Sequence, residues 1–477
     1  MIPHLYRFRP ASAVLDKYEE LAKQEIYFSP PEELNDPMEG YKDVFWSGDG
    51  IVWRNLLRHY LLCLLQTTSL CLMMGPKFDR ADLKTIVFSA FENLPDAPVR
   101  AIYQHTCDAF FADPNIQKLI EALANRTTPL RRDELAQMLR AIHPFGLSVL
   151  MKALKREGVD GIFRDLDAME ARATPMNETI ARVVAMTPPE QEVAEALFSA
   201  SELMVAQMAL TQDYNAAPPP EAKAVTFFTR DFPVNYVRAL DELIHPPCFA
   251  ACFVANPADA SMWATYGASH TGVCLKFKTV PDSAGSPALN LNGIRGWRGG
   301  KGMEMEPVYS FAPHQFHKMN YSKTYPEIDF FNSIGRLPIP IMNAVWYRGE
   351  SGELSSCRAA RSCDTEAWRE NYWEAFQTGA TCKTSEWAHE QEYRLLLWSS
   401  MHNFKDDTSR KLRYNFADLS GIIFGAKTAV EDKLKIMRII AEKCKAEGRH
   451  DFEFHQMQYS RNERSFRVAP LSLIRFQ

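Results

Sequence analysis

Apolar and polar positions change rhythm several times along the 477-residue chain. Residues 2–8 alternate as a strand does, and residues 11–23 set Val14, Leu15, Tyr18 and Leu21 at helical spacing. Residues 26–29 read as a second strand, stopped by Pro30-Pro31. Asn35-Asp36-Pro37 predicts a turn, because Asn and Asp bond back to the backbone and Pro sets φ. From residue 51 to about 215 helical spacing dominates, over 82–94, 116–124, 134–142, 147–156 and 191–210, and Pro218-Pro219-Pro220 predicts a stiff linker after it. Strand-like runs return at 225–228, 248–253 and 272–277. The glycines at 293, 296, 299, 300 and 302 predict a mobile loop over 281–307, with irregular structure over 319–347. A helix is expected over 365–376, strands at 421–425, 452–459 and 465–468, and a helix over 430–446. Together these predict an α+β fold: a mixed β-sheet core assembled from 1–50 and 221–477, with a helical insertion domain over 51–220 that ends in the Pro-rich linker.

Composition narrows the partners. A formal charge of −5, from 54 basic and 59 acidic residues, gives no bulk attraction for a polyanion, so nucleic acid is not indicated by charge. The ten cysteines include no C-x-x-C pair, which argues against a zinc ribbon and for reduced thiols in a cytoplasmic protein. The amino terminus lacks a basic segment followed by an apolar one, so no signal peptide is expected. The Leu-rich stretch 56–74 is interrupted by Arg58, His59, Gln66, Thr67, Thr68 and Ser69, which suits a buried helix better than a membrane span. No membrane partner is expected; the helical insertion offers a surface for a protein partner, and the macromolecular or small-molecule target stays open.

Four constellations carry chemistry. In Leu5-Tyr6-Arg7-Phe8-Arg9, alternation puts both arginines on one strand face, where they can grip a phosphate or carboxylate or simply sit in solvent. In the stretch from Tyr27 to Glu39, Ser29 and Asn35 can hold ribose or amide groups and Asp36 and Glu39 can orient a base, although turn formation alone accounts for these residue types. In Met262-Trp263-Ala264-Thr265-Tyr266-Gly267-Ala268-Ser269-His270-Thr271-Gly272, an aromatic pair three apart beside a histidine can sandwich a planar ring or merely pack a core. In Trp387-Ala388-His389-Glu390-Gln391-Glu392-Tyr393-Arg394, two carboxylates two residues apart share a face if the segment is a strand. They then either pair with Arg394 or accept from a ribose hydroxyl or face a developing cation.

In this order the four blocks resemble a bacterial family known only as domain of unknown function 2971, whose members share the Leu-Tyr-Arg, Tyr-Phe-Ser-x-Pro…Asn-Asp-Pro-x-Glu, Met-Trp-x-x-Tyr-x-x-x-His-x-Gly and Trp-x-x-Glu-x-Glu-Tyr-Arg motifs. The helical region is far longer than in typical members. A weaker, fold-level similarity is to ADP-ribosyltransferases, with an arginine on the first strand, a serine on the next and a late Glu-x-Glu strand. That similarity implies NAD as substrate, with Arg7 or Arg9 on its phosphate, Ser29 beside the nicotinamide ribose and Trp263 or Tyr266 stacked on the nicotinamide. It also implies Glu392 as the catalytic carboxylate, assisted by Glu390. Asn35 and His270 complete the expected site. Three readings follow: an NAD-using transferase or glycohydrolase acting as a bacterial toxin or phage-defence effector; a non-enzymatic binding or sensor module held together by Arg–Glu pairs; and, third, a metal-dependent nuclease gathering Asp36, Glu39, Glu390 and Glu392.

Overall fold

A computed structural model describes residues 2–74, 85–91, 94, 96–159, 191–215, 224–299, 305–358, 365–400 and 402–474. The chain forms two compact units, one from Met1–Tyr41, Pro247–Tyr325 and Gln377–Gln477 and the other from Lys42–Pro246 and Pro326–Phe376.

The second unit is helical. Its central helix α1 (Gly50–Met74) begins at Asp49, whose carboxylate accepts from the Ile51 and Val52 amides, and runs through Leu56, Tyr60 and Leu64, all buried. Its polar residues are absorbed inside the unit: Thr67 donates back to the Cys63 carbonyl and Asn55 donates to the carbonyls of Trp346 and Arg348. Around it pack α2 (Ala97–Phe111) and α3 (Pro114–Ala124), each started by an Asp cap and a proline, and α4 (Arg132–Arg156). The two helical patterns expected at 134–142 and 147–156 are one helix, α4, with Pro144 inside it. The helix α5 (Gln191–Asn215) turns its acids to arginines, Glu195 to Arg131 and Asp213 to Arg230, and leaves Leu197, Met204, Met208 and Leu210 exposed. By length and composition α1 and residues Glu192–Asn215 could each cross a membrane; two thirds of the α1 window is buried in its unit, as expected of a core helix.

Two expectations in this unit need correction. Residues 225–228 are helical, not a strand: Phe228, Phe232 and Tyr236 recur every four residues and are all buried, as the chain winds into α6 (Phe232–Ala239). Residues 85–91 are irregular rather than helical, lying so that the Val87 carbonyl bonds His59, while 82–84 lie outside the described residues. The Pro218–220 linker also lies outside them.

The first unit is built on a curled, mixed sheet. Its strands in chain order are β1 (His4–Arg9), β2 (Glu25–Tyr27), β3 (Phe249–Val254), β4 (Val273–Lys278), β5 (Pro287–Gly299), β6 (Met305–Lys318), β7 (Glu392–Leu397), β8 (Lys411–Tyr414), β9 (Leu419–Phe424), β10 (Glu453–Ser460) and β11 (Ser465–Pro470). They lie side by side as β11-β10-β9-β4-β1-β3-β7-β6-β5-β8-β2, with only β9 and β10 parallel along this path. The glycine-rich segment predicted as a mobile loop over 281–307 is instead the hairpin β5–β6, in register from Ala288↔Gln315 to Gly299↔Met305 with an irregularity at Ile294/Gly296. Gly293, Gly296 and Gly299 are strand residues, and 300–304 lie outside the described residues. The helix expected over 11–23 is broken into Ala13–Lys17 and Glu20–Lys23 by Glu19 in a left-handed conformation (φ 53°), which delivers Glu20 to Arg9. A short helix α7 (Ala260–Thr265) and a long one, α8 (Val430–Glu447), complete the unit around a core of Leu5, Phe28, Phe253, Phe277, Leu395 and Ile422.

Candidate functional site

The site forms where the sheet splits. Strands β1 and β3 share one register pair, Tyr6↔Val254, and Val254 also pairs with Glu392 of β7. Beyond that level β1 leaves β3, and Ser29 takes over the pairing: its amide donates to the Ala250 carbonyl and its carbonyl accepts from the Ala250 amide, both at 2.9 Å. The gap is a cleft of about 180 Å³, lined by Arg7, Arg9, Ser29, Asn35, Cys252, Tyr266, Lys383, Glu390 and Glu392 among others. Tyr6 and Glu392 sit level across the sheet; Arg7, one residue on, points to the other side of the pleat. A split sheet admits both.

Arg7 is buried, 5% exposed. Its NH2 donates to the Tyr27 carbonyl at 2.9 Å and its guanidinium lies 5.4 Å from the Phe253 ring centre. Its Nε has no hydrogen-bond partner, and among the described residues no carboxylate lies within salt-bridge reach of it. Burial, then the neighbouring charge of Arg9, pull its pKa down to about 10. Arg9 is satisfied by Glu20, to which its Nε donates at 2.8 Å.

The other wall is a network of three glutamates and two cations. Arg394 pairs with Glu392 through Nε (2.8 Å) and NH2 (3.0 Å), and with Glu39 through NH1 (2.8 Å) and NH2 (2.5 Å). Lys383, on the short strand Cys382–Thr384, donates to Glu390 at 2.7 Å and lies 3.5 Å from Glu392 and 3.7 Å from Glu39, 4.5 Å from the Trp387 ring centre. The Tyr266 hydroxyl donates to the remaining Glu390 oxygen at 2.6 Å. All five charged side chains are at most 4% exposed. Burial opposes ionisation of Glu392, but Arg394 and then Lys383 outweigh it, so its carboxyl titrates below the usual range. Burial and then Glu390 push the Tyr266 hydroxyl far up, and burial and then Glu392 do the same to the Cys252 thiol.

The two glutamates converge differently from the strand alternation expected. Ser385–Glu390 is a 3₁₀ turn, Gln391 is left-handed at φ 45°, and β7 begins only at Glu392. Nor does Glu390 pair with Arg394; that partner is Glu392.

Of the nine residues expected at the site, Arg7, Arg9, Ser29, Asn35, Tyr266, Glu390 and Glu392 line the cleft, and Trp263 and His270 do not. Trp263 is fully buried, donating Nε1–H to the Pro257 carbonyl at 2.7 Å and meeting Phe8 edge-on at 4.9 Å. His270 stacks on Phe466 at 5.4 Å, and its carbonyl accepts from the Lys427 amide. Both serve a sharp turn after α7 in which Ala268, Ser269 and His270 all have positive φ (49°, 55° and 71°) and the His270 amide donates back to the Trp263 carbonyl. That reversal ends the helix at Tyr266 and aims its hydroxyl into the cleft. A Cβ on Gly272 would stand 2.4 Å from the Arg9 carbonyl oxygen, so this turn also seats β1.

Lys383, Arg394 and Cys252 were not among the expected site residues, whereas Glu39, expected to orient a base, is found clamped on Arg394. Charge balance could have found the first two, since buried glutamates at 390 and 392 require nearby cations. Nothing in the sequence singles out Cys252, which enters as the register partner of Arg394. Lys383 and Arg394 hold the positions among the glutamates that a divalent ion would need, and Asp36 is turned to the Met38 amide of its own turn.

Residues 262–395 match the family model described as Protein of unknown function (DUF2971), a span that takes in the third and fourth sequence blocks and Lys383. No curated protein and no solved structure matches the chain.

Proposed function

We propose that the cleft binds NAD and opens its nicotinamide–ribose bond, as a cytoplasmic effector of the ADP-ribosyltransferase or NAD-glycohydrolase kind working as a toxin or in phage defence. The observation that carries this reading is Arg7, a buried guanidinium that makes no ion pair among the described residues, with Glu20 opposite it only at longer range, at the wall of a cleft whose other wall is anionic. A phosphate would supply the charge Arg7 lacks. The volume suits one ring or sugar, with the rest of the ligand outside. When nicotinamide leaves with the bonding electron pair on its ring nitrogen, positive charge develops at ribose C1′, and a fixed carboxylate stabilises it. Water or an acceptor hydroxyl then forms the new C1′–O bond and gives up a proton. The test is nicotinamide release from NAD by the purified protein, with and without added protein acceptors; turnover that falls in Arg7→Ala supports the reading, and no turnover by the wild type under either condition sinks it.

A second reading has its own observation. Every carboxylate oxygen of Glu39, Glu390 and Glu392 already has a cation or hydroxyl partner, as a binding or sensor module held by ion pairs would have. NAD binding seen by calorimetry without nicotinamide release would favour it.

A further inference from the structure

Resting on that reading, we propose that the carboxylate facing the reacting ribose is Glu390, presented together with the Tyr266 hydroxyl, and that Glu392 is a positioning residue held out of the chemistry by Arg394. The two glutamates are equally buried, so exposure does not choose between them. Their partners do. Glu392 is gripped on both oxygens by one planar guanidinium, which is itself clamped on its far side by both oxygens of Glu39. Its own backbone is held as well: the Glu392 amide donates to the Tyr321 hydroxyl at 2.8 Å, and β7 is paired with strands on both sides. A carboxylate fixed by a fork on a rigid strand has its charge and lone pairs committed.

Glu390 stands on different ground. It ends a 3₁₀ turn before the left-handed Gln391, outside the ladder of β7. One oxygen takes a single bond from Lys383, a flexible point charge, and the other takes a single hydroxyl bond from half-buried Tyr266. A hydroxyl can turn from Glu390 to a ribose hydroxyl or to the attacking water while its oxygen stays in place; a bidentate guanidinium cannot. In the hydrolytic step the C1′–N bond breaks with its electron pair on nicotinamide, the water oxygen bonds C1′, and the water proton passes to Glu390 and on to solvent, so that NAD and water yield nicotinamide, ADP-ribose and a proton.

The test compares nicotinamide release by wild type, Glu390→Gln, Tyr266→Phe and Glu392→Gln, with melting temperature measured on each. Glu390→Gln is expected to lower kcat by at least about 100-fold with little change in KM, as loss of one transition-state stabiliser does. Tyr266→Phe is expected to cost roughly tenfold, about one hydrogen bond. Glu392→Gln is expected to act chiefly on melting temperature, its kcat loss in the folded protein at least tenfold smaller than that of Glu390→Gln. Wild-type turnover that survives Glu390→Gln overturns the assignment while leaving the NAD reading standing, and this holds even if Glu392→Gln fails to fold. A wild type without turnover overturns the NAD reading and the assignment with it.

Discussion

Arg394 and Glu39 are 355 residues apart in sequence, and the two terminal nitrogens of the guanidinium meet the two carboxylate oxygens at 2.5 and 2.8 Å. The pair ties the turn near the start of the chain to the strand that carries Glu392. Both partners are buried, and removing Arg394 takes away the cation that Glu39 and Glu392 share, leaving Lys383 alone against three carboxylates. Arg394→Ala is expected to destabilise the sheet unit by about 3–5 kcal/mol, the usual cost of orphaning a buried ion. Urea unfolding followed by tryptophan fluorescence measures this, and a loss under about 1 kcal/mol would contradict the network.

Arg7 predicts an opposite trade. Its charge is desolvated with no ion-pair partner among the described residues, and the more distant Glu20 offsets burial only in part, so the protein without ligand carries a cost that a ligand would relieve. Arg7→Met is expected to raise the melting temperature, by a stabilisation on the order of 1–3 kcal/mol, while weakening ADP-ribose binding at least about tenfold. Calorimetry and thermal melts on the same sample check both halves, and an Arg7→Met protein that binds ADP-ribose as the wild type does would remove Arg7 from the site.

The helical unit holds a pH dependence. His59 accepts or donates between Tyr236 and the Val87 carbonyl, His143 lies between Tyr60 and the Phe228 carbonyl, and burial pulls both down to about 4. In the unfolded chain both titrate near 6.5, so between pH 6.5 and 4 the unfolded state holds more protons and stability rises with pH. Their contribution is complete above about 6.5 and is lost progressively on acidification toward 4, on the order of 3 kcal/mol for each histidine. Chemical unfolding at a series of pH values from 7.5 to 4 should show this loss, and a flat profile over that window would rule it out.

Glycine contacts separate two kinds of position. A methyl group at Gly272 would strike the Arg9 carbonyl, whereas nothing lies within 4 Å of one at Gly379 in the helix Thr365–Ala380. Gly272→Ala should cost about 1–3 kcal/mol through overpacking, and it should also weaken ligand binding because it pushes the arginine strand. Gly379→Ala should stabilise by up to about 1 kcal/mol, the difference in helix propensity. Parallel thermal melts of the two variants give the comparison.

The sequence made the sheet legible wherever a strand alternates or runs apolar, as at β1, β3, β4, β7 and β9. It misled where a local signal was stronger than the tertiary one. The glycines of β5 suggested a loop because the signal for pairing with β6 lies in another segment. Val225-Thr226-Phe227-Phe228 has strand propensity, but packing of Phe228, Phe232 and Tyr236 at a spacing of four wins. At the site, residues in the right blocks were visible while their partners were not. The Glu-x-Glu motif suggested two carboxylates on one strand face; the left-handed Gln391 sets them apart, Glu392 in the ladder and Glu390 before it. His270 was read as chemistry because a histidine between glycines is conspicuous, yet its place is set by a backbone reversal and the ring of Phe466.

The cleft also orders events in time. A nascent chain exposes Arg7, Ser29 and Glu39 first, then the whole span 42–246 of the helical unit, and only much later Lys383, Glu390 and Arg394. Until those late residues emerge from the ribosome, Glu39 lacks its arginine and β3 lacks β7 along one edge. A translation product cut short before residue 383 would therefore carry the early arginines and no opposing wall, so the cell that makes this protein would meet a cleft with both walls only when synthesis has passed Arg394.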